Sequence, residues 1–128
     1  MGFMATLSRL FERLARPAEE ARMEHLKVWA DTFEGTQRIA EVTPRTRCRV
    51  AGVITNIRID PRQGGGTIEA TITDGTGRMV ARWLGRSSMK GIRLGAGLLL
   101  QGTSSVPEAG EMILLNPEYE LIPGPEQG

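Results

Sequence analysis

Between Phe3 and Phe33 the apolar positions fall at Leu7, Leu10, Phe11 and Leu14, then at Ala18, Ala21, Leu26, Trp29, Ala30 and Phe33. Steps of three and four residues predict helix. Arg16-Pro17 should divide the stretch into two helices or kink a single one, because the residue before proline is pushed out of the helical region while proline itself suits a first turn. Glu19 and Glu20 then fall near a new amino terminus, where the helix dipole favours carboxylates, and Gly35 is the expected stop. Arg9, Arg13 and Arg16 oppose the first apolar stripe. Such a stripe suits packing on the rest of the chain or on another copy, which is the commoner fate, or lying on an anionic membrane surface.

From Arg47 the period changes to two. Arg47 to Ile59 alternates as a long first strand with Cys48, Val50 and Ile54 on one side, and Gly52 is the expected bulge or bend. A glycine-rich loop, Asp60 to Gly66, leads into Thr67 to Thr73. The turn Asp74-Gly75-Thr76-Gly77 then returns the chain into a third strand, with the aspartate accepting backbone donors and the glycines supplying positive φ. If Thr73 faces Arg78, then Ile72 faces Met79, Ala70 faces Ala81 and Ile68 faces Trp83 on the core side. Thr71 then faces Val80, and Glu69 faces Arg82, on the other. This register turns Trp83 inward, and a place at the barrel mouth would let it serve as core and stacking platform together.

Ser87 to Ile92 is predicted as a helical turn plugging one end, and Gly97–Val106 with Glu111–Leu115 as a hairpin over Pro107 to Gly110. Asn116 to Ile122 closes the pattern, and residues 123–128 are predicted to be a disordered tail. Five strands with a connector between the third and fourth predict a mainly β chain: a five-stranded OB-fold Greek-key barrel. An amphipathic helical extension occupies residues 1–40, and the barrel domain residues 45–122.

Charge changes the picture more than length or composition. The net charge is only +1, yet residues 38–93 hold 11 basic and 4 acidic side chains, and residues 94–128 hold 5 acidic and no basic ones. Of the 16 basic residues 14 are arginine, the side chain best suited to bidentate phosphate contact. If the central arginines share a face, a polyanion is the natural partner. The single cysteine, Cys48, and single histidine, His25, supply neither a disulfide framework nor a metal cluster, and a cytoplasmic setting is expected. No catalytic constellation or phosphate-binding GxxxxGK[ST] motif is present, so no enzyme activity and no cofactor are expected.

Ile72-Thr73-Asp74-Gly75-Thr76-Gly77, Arg82-Trp83-Leu84, Gly95, Gly102, and Met112-Ile113 to Asn116-Pro117-Glu118-Tyr119 together resemble the OB-fold wedge domain of RecG-type branch-migration helicases. More broadly, they resemble the anticodon-binding OB module and small stand-alone bacterial OB proteins. The resemblance covers about residues 47–122 and implies single-stranded or junction DNA as ligand. It carries no ATP hydrolysis, for want of a motor domain.

The expected function is therefore non-catalytic binding of single-stranded or structured DNA or RNA with low sequence specificity, across the outer face of the first three strands. Arg82 is the central candidate. Arg58, Arg62 and Arg78 are expected on phosphates, Arg86 and Lys90 would extend the track, and Trp83 would stack at the mouth; Arg47 and Arg49 stand second. The alternative is a protein-binding OB scaffold whose N-terminal helices dock on a partner or self-associate, with Val53, Ile57, Val80 and Leu84 as an apolar outer surface.

Overall fold

The computed structural model describes residues 2–61 and 65–125, with side chains from residue 15 onward. A helix, α1 (Gly2–Asp31), and a short 3-10 turn (Ile39–Glu41) precede six strands. These are β1 (Arg47–Asp60), β2 (Thr67–Thr73), β3 (Arg78–Leu84), β4 (Gly97–Thr103), β5 (Met112–Leu115) and β6 (Glu118–Ile122). No described helix is long and apolar enough to cross a membrane.

Pro17 lies inside α1 and does not divide it. Proline removes one backbone donor and crowds the preceding turn. Residues 15–22 are solvent-exposed throughout, so water is at hand for the polar group left without its helical partner. Among the described side chains of α1, those of its last turns meet the sheet. Leu26 and Ala30 are buried, and Ala30, with Trp29 and Phe33 beside it, packs on Ala51, Leu99 and Ile122. Trp29 and Phe33 meet edge to face at 5.4 Å.

The strands form one sheet in the order β5-β3-β2-β1-β4-β6, with only the β3–β5 pair parallel. The sheet curls into a half-barrel whose two edge strands are consecutive in the chain and joined by a two-residue link, Asn116-Pro117. The count is six rather than the expected five, since the run from Glu111 to Ile122 holds two strands, β5 and β6. Asn116 breaks it by adopting φ of 49°, while its N–H donates to the Arg82 carbonyl and its Oδ1 accepts from the Leu84 N–H. Pro117 cannot continue a ladder as a donor. It is buried, and its carbonyl accepts the Trp83 Nε1–H at 3.0 Å. The expected hairpin between β4 and β5 is reduced to a Ser104–Leu114 bridge and a tight tip at Glu108–Glu111, because β5 itself pairs with β3.

Every pair expected between β2 and β3 is present, from Thr73–Arg78 to Ile68–Trp83. The turn fixes this register. Asp74 is buried and accepts from the Thr76 N–H at 2.8 Å, the Thr76 hydroxyl at 2.6 Å and the Gly77 N–H at 3.3 Å. Its second oxygen accepts from the Ile39 N–H at 2.9 Å, tying the turn to the 3-10 segment. The bulge in β1 lies at Thr55, between Ile54 and Asn56, rather than at Gly52. Gly52 instead permits close approach, since a Cβ there would stand 2.9 Å from Ile72 Cδ1.

The barrel core contains Val50, Ile54, Ile68, Ile72, Met79, Trp83, Leu98, Leu100 and Leu114. Met89, Ile92 and Ala96 pack against it from the β3–β4 connector, which plugs the barrel through turns and not through the helical turn expected there. The tail expectation is corrected for residues 123–125. Gly124 is buried, and the Pro123 carbonyl accepts the Trp29 Nε1–H at 3.0 Å, so the chain after β6 fastens α1 to the barrel. Residues 126–128 lie outside the described residues.

Candidate nucleic-acid interface

Alternation along paired strands sorts the outer residues of the barrel into rows. Arg58 on β1 faces Glu69 on β2, Glu69 faces Arg82 on β3, and Arg82 faces Leu115 on β5. The next rows are Asp60, Thr67 and Leu84 on one side, and Asn56, Thr71, Val80 and Ile113 on the other. The bulge at Thr55 makes this arrangement. It shifts the phase of β1 by one residue, so Ile57 packs against the core and Asn56, Arg58 and Asp60 turn outward.

Arg58, Ile59, Asp60, Thr67, Glu69, Arg82 and Leu84 line an open groove of about 470 Å3. Arg82 is its anchored cation. Its Nε donates to Glu69 Oε1 at 2.9 Å, with both side chains about three-quarters buried. A terminal nitrogen stands 4.0 Å from Glu108 at the tip of the β4–β5 connection. Arg58 is exposed and forms no ion pair among the described residues. An arginine carries five N–H donors, so the bond to Glu69 leaves donors of Arg82 for an anion in the groove.

The seven expected site residues separate. Arg58 and Arg82 come together in one row. Arg78 is on the same face of β3, roughly 13 Å along the strand from Arg82, and pairs with Glu111 at 3.8 Å. Arg86 is exposed two residues beyond Leu84, next to Gly85, whose N–H donates to the Gly66 carbonyl at the end of the glycine loop. Lys90 adjoins Gly91, where a Cβ would collide with Leu121 of β6, so it belongs to another part of the surface. Trp83 is 3% exposed and meets Tyr119 edge to face at 5.5 Å, which removes it as a stacking platform. Arg62 lies outside the described residues. Of the second-rank candidates, Arg49 donates to Gln101 at 3.1 Å and Arg47 is exposed at the start of β1.

The outer face is therefore not the purely cationic track that the charge blocks suggest. Glu69, Glu108 and Glu111 sit on its arginines, and Asp60 stands in the groove. The pairing of Glu69 with Arg82 follows from strand register. Glu108 and Glu111 escape sequence reasoning because their contacts depend on how the β4–β5 connection folds over β3.

Of the surface expected to be apolar, Val53 is buried and lines a small cavity of about 160 Å3 with Leu26 of α1. Val80 is buried as well, and only Leu84 is exposed. Thus the described side chains of α1 lie on the β1–β4 side and at the β2–β3 turn, where a Cβ on Gly75 would collide with the Met23 carbonyl, and none of them lines the groove.

Residues 48–122 match the family model described as an OB-fold nucleic acid binding domain. The chain belongs to this family. No curated protein matches it. Among solved structures, the OB-fold domain is similar to part of RecG bound to a three-way DNA junction, at 15% identity and a TM-score of 0.55. That likeness covers 69% of this chain and 12% of the RecG chain. It is also similar to a murine DNA binding protein bound with double-stranded DNA, at 18% identity and a TM-score of 0.50, over 71% of this chain and 50% of that one. An OBody bound to hen egg-white lysozyme matches at 14% identity and a TM-score of 0.50, over 71% and 96%. The chain spans well under two thirds of the RecG and murine proteins, and all three likenesses are of fold.

Proposed function

We propose that the chain binds single-stranded or structured nucleic acid without catalysing a reaction on it, using the outer face of β1, β2 and β3. The carrying observation is the Arg58–Glu69–Arg82 row, which holds two guanidinium groups in one groove that none of the described α1 side chains lines. Family membership and the DNA-bound RecG and murine structures support the same ligand class. Backbone phosphates would bridge Arg58 and the remaining donors of Arg82, with Arg86 at the rim and Arg78 reached along β3. The β2 and β3 rows of this face hold no aromatic side chain, so base stacking worth about 1 to 3 kcal/mol per base is missing there. Binding is therefore modest, sequence-tolerant and strongly salt-dependent.

Fluorescence anisotropy with a labelled single strand and with a three-way junction, repeated at rising salt, tests the proposal. The double variant Arg58→Glu with Arg82→Glu should weaken binding at least about tenfold and lower the salt slope by roughly 2. Thermal unfolding of the variant checks that the barrel persists. Affinity indifferent to salt, or unchanged in a folded double variant, rules the proposal out. A protein ligand on this face is the second reading. It is favoured by the exposed Leu84 and Leu115 beside a Glu69–Arg82–Glu108 group in which carboxylates outnumber the guanidinium, and by the lysozyme-bound OBody.

A further inference from the structure

Three and four residues apart on α1, Arg22, His25 and Leu26 share one helix face. They line a single small cavity, of about 160 Å3, together with Val53 of β1, Gly95 of the β3–β4 connector, and Gly124 and Pro125 after β6. Exposure sorts this lining. Leu26 and Val53 are 3% and 5% exposed and make an apolar floor, while Arg22 and His25 are exposed and make a polar rim. Gly95 keeps the space clear: its φ of 85° disfavours any side chain, and a Cβ there would meet nothing within 4 Å.

The rim offers donors, and among the described residues no carboxylate lines the cavity. Glu19, Glu20 and Glu24 of the same helix line a separate depression with Arg16 and Lys27, and Glu24 is held on Lys27 at 3.1 Å. Neither Arg22 nor His25 has a hydrogen bond or ion pair among the described residues. Backbone and indole donors close by are already spent, the Gly95 N–H on the Ile54 carbonyl at 2.8 Å and the Trp29 Nε1–H on the Pro123 carbonyl at 3.0 Å. The planar fork of Arg22 matches a carboxylate, and either tautomer of His25 adds one ring N–H. Arg93 lines the adjoining surface groove, which shares Gly95 and Gly124 with the cavity, and adds positive potential. Size limits what the floor can hold. An apolar cavity of roughly 150 Å3 admits one benzene ring, whereas pockets for drug-sized ligands begin at roughly 300 Å3.

We propose that this cavity binds a small carboxylate whose apolar body is a single ring. The ring seats on Leu26, Val53 and Pro125, and the carboxylate accepts from Arg22 and His25. An uncharged ring would leave the guanidinium without a partner, and a bare anion would leave the apolar floor uncovered, so the two parts are needed together. The site joins α1, β1 and the chain after β6, three segments brought together by the docking of the helix, and it shares no lining residue with the Arg58–Arg82 groove. It stands or falls without the nucleic-acid reading.

Titration of the isotopically labelled full chain with benzoate, followed by NMR, tests it. Saturable shifts should appear on the amides of Leu26, Val53, Gly95 and Gly124, with a dissociation constant on the order of 1 mM. Benzamide, the uncharged counterpart, and inorganic phosphate, the anion without a ring, should each bind at least about tenfold more weakly. Arg22→Gln should weaken benzoate about tenfold and His25→Gln about threefold, and thermal unfolding should be unchanged in both because the two side chains are exposed. The comparison of the three probes on the wild type decides the matter even if a variant proves unstable. No saturation at about tenfold above the expected constant, benzamide or phosphate binding as well as benzoate, or full affinity in a folded Arg22→Gln contradicts the proposal. So do shifts that fall on the groove residues and spare the cavity.

Discussion

The two halves of β1 show how one strand is assigned two tasks. From Cys48 to Ile54 all but Arg49 are buried, because the barrel core lies on one side and β1 is covered on the other where α1 docks. From Thr55 to Asp60 only Ile57 retains partial cover, and the outward positions are Asn56, Arg58 and Asp60. The bulge at Thr55 is the boundary. Covering both faces turns the first half into scaffold; leaving one face open turns the second half into a surface on which an arginine can meet a ligand. On the proposed reading, affinity and stability are lodged in different residues of the same element.

That division makes the first prediction the largest. Leu26→Ala removes a buried side chain from the docked half and should cost roughly 2 to 4 kcal/mol in thermal or urea unfolding, with oligonucleotide affinity within about twofold while the barrel stays folded. A parallel collapse of affinity would show that the halves are coupled. On the open half, Glu108→Gln with Glu111→Gln removes the carboxylate beside Arg78 and the second of the two beside Arg82, whose bond to Glu69 remains. Stability should change by less than about 1 kcal/mol, since these pairs are exposed or long, while affinity for a single strand should rise about threefold to tenfold by anisotropy. Unchanged or weakened affinity would mean that the acidic tip belongs to the binding surface and is not a competitor for it.

The smallest effect is at the end of α1. The Asp31 carboxyl is held below the usual carboxylate range, chiefly by the hydrogen bond from Arg38 at 2.8 Å, with their charge attraction adding to it. A depressed carboxyl contributes stability that is complete above its unfolded value and is lost as pH falls through the folded one. Acidification should therefore loosen the link between α1 and the 3-10 segment below the normal range for an aspartate. A carboxyl-detected NMR titration should show Asp31 titrating low in the wild type and returning to the ordinary range in Arg38→Ala. The groove residues should be unaffected.

Local chemistry explains which of these features the sequence discloses. Asp74 and the two glycines beside it fix a turn, and from that turn every β2–β3 pair follows, including Glu69 with Arg82 and the inward Trp83. The bulge was not legible, because Gly52 has the composition of a bulge residue but serves close approach to Ile72, whereas Thr55 looks like ordinary strand. Asn116-Pro117 was visible as a closing signature, but its effect, one strand broken to join two edges, depends on bonds to Arg82, Trp83 and Leu84 on another element. The same holds for Glu108 and Glu111. A block of arginines in sequence became a cationic face only in part, since Glu69 sits across the ladder from Arg82, and Glu108 and Glu111 reach Arg82 and Arg78 from more than twenty positions away.

The most direct test of this division is an NMR titration of the isotopically labelled chain with a short single-stranded oligonucleotide at low salt. Shifts concentrated on the amides of Arg58, Thr67, Glu69, Arg82 and Leu84, with Ala51, Leu99 and Ala30 unmoved, are the predicted result. Shifts confined to α1 and the β1–β4 side, with the groove silent, would contradict it.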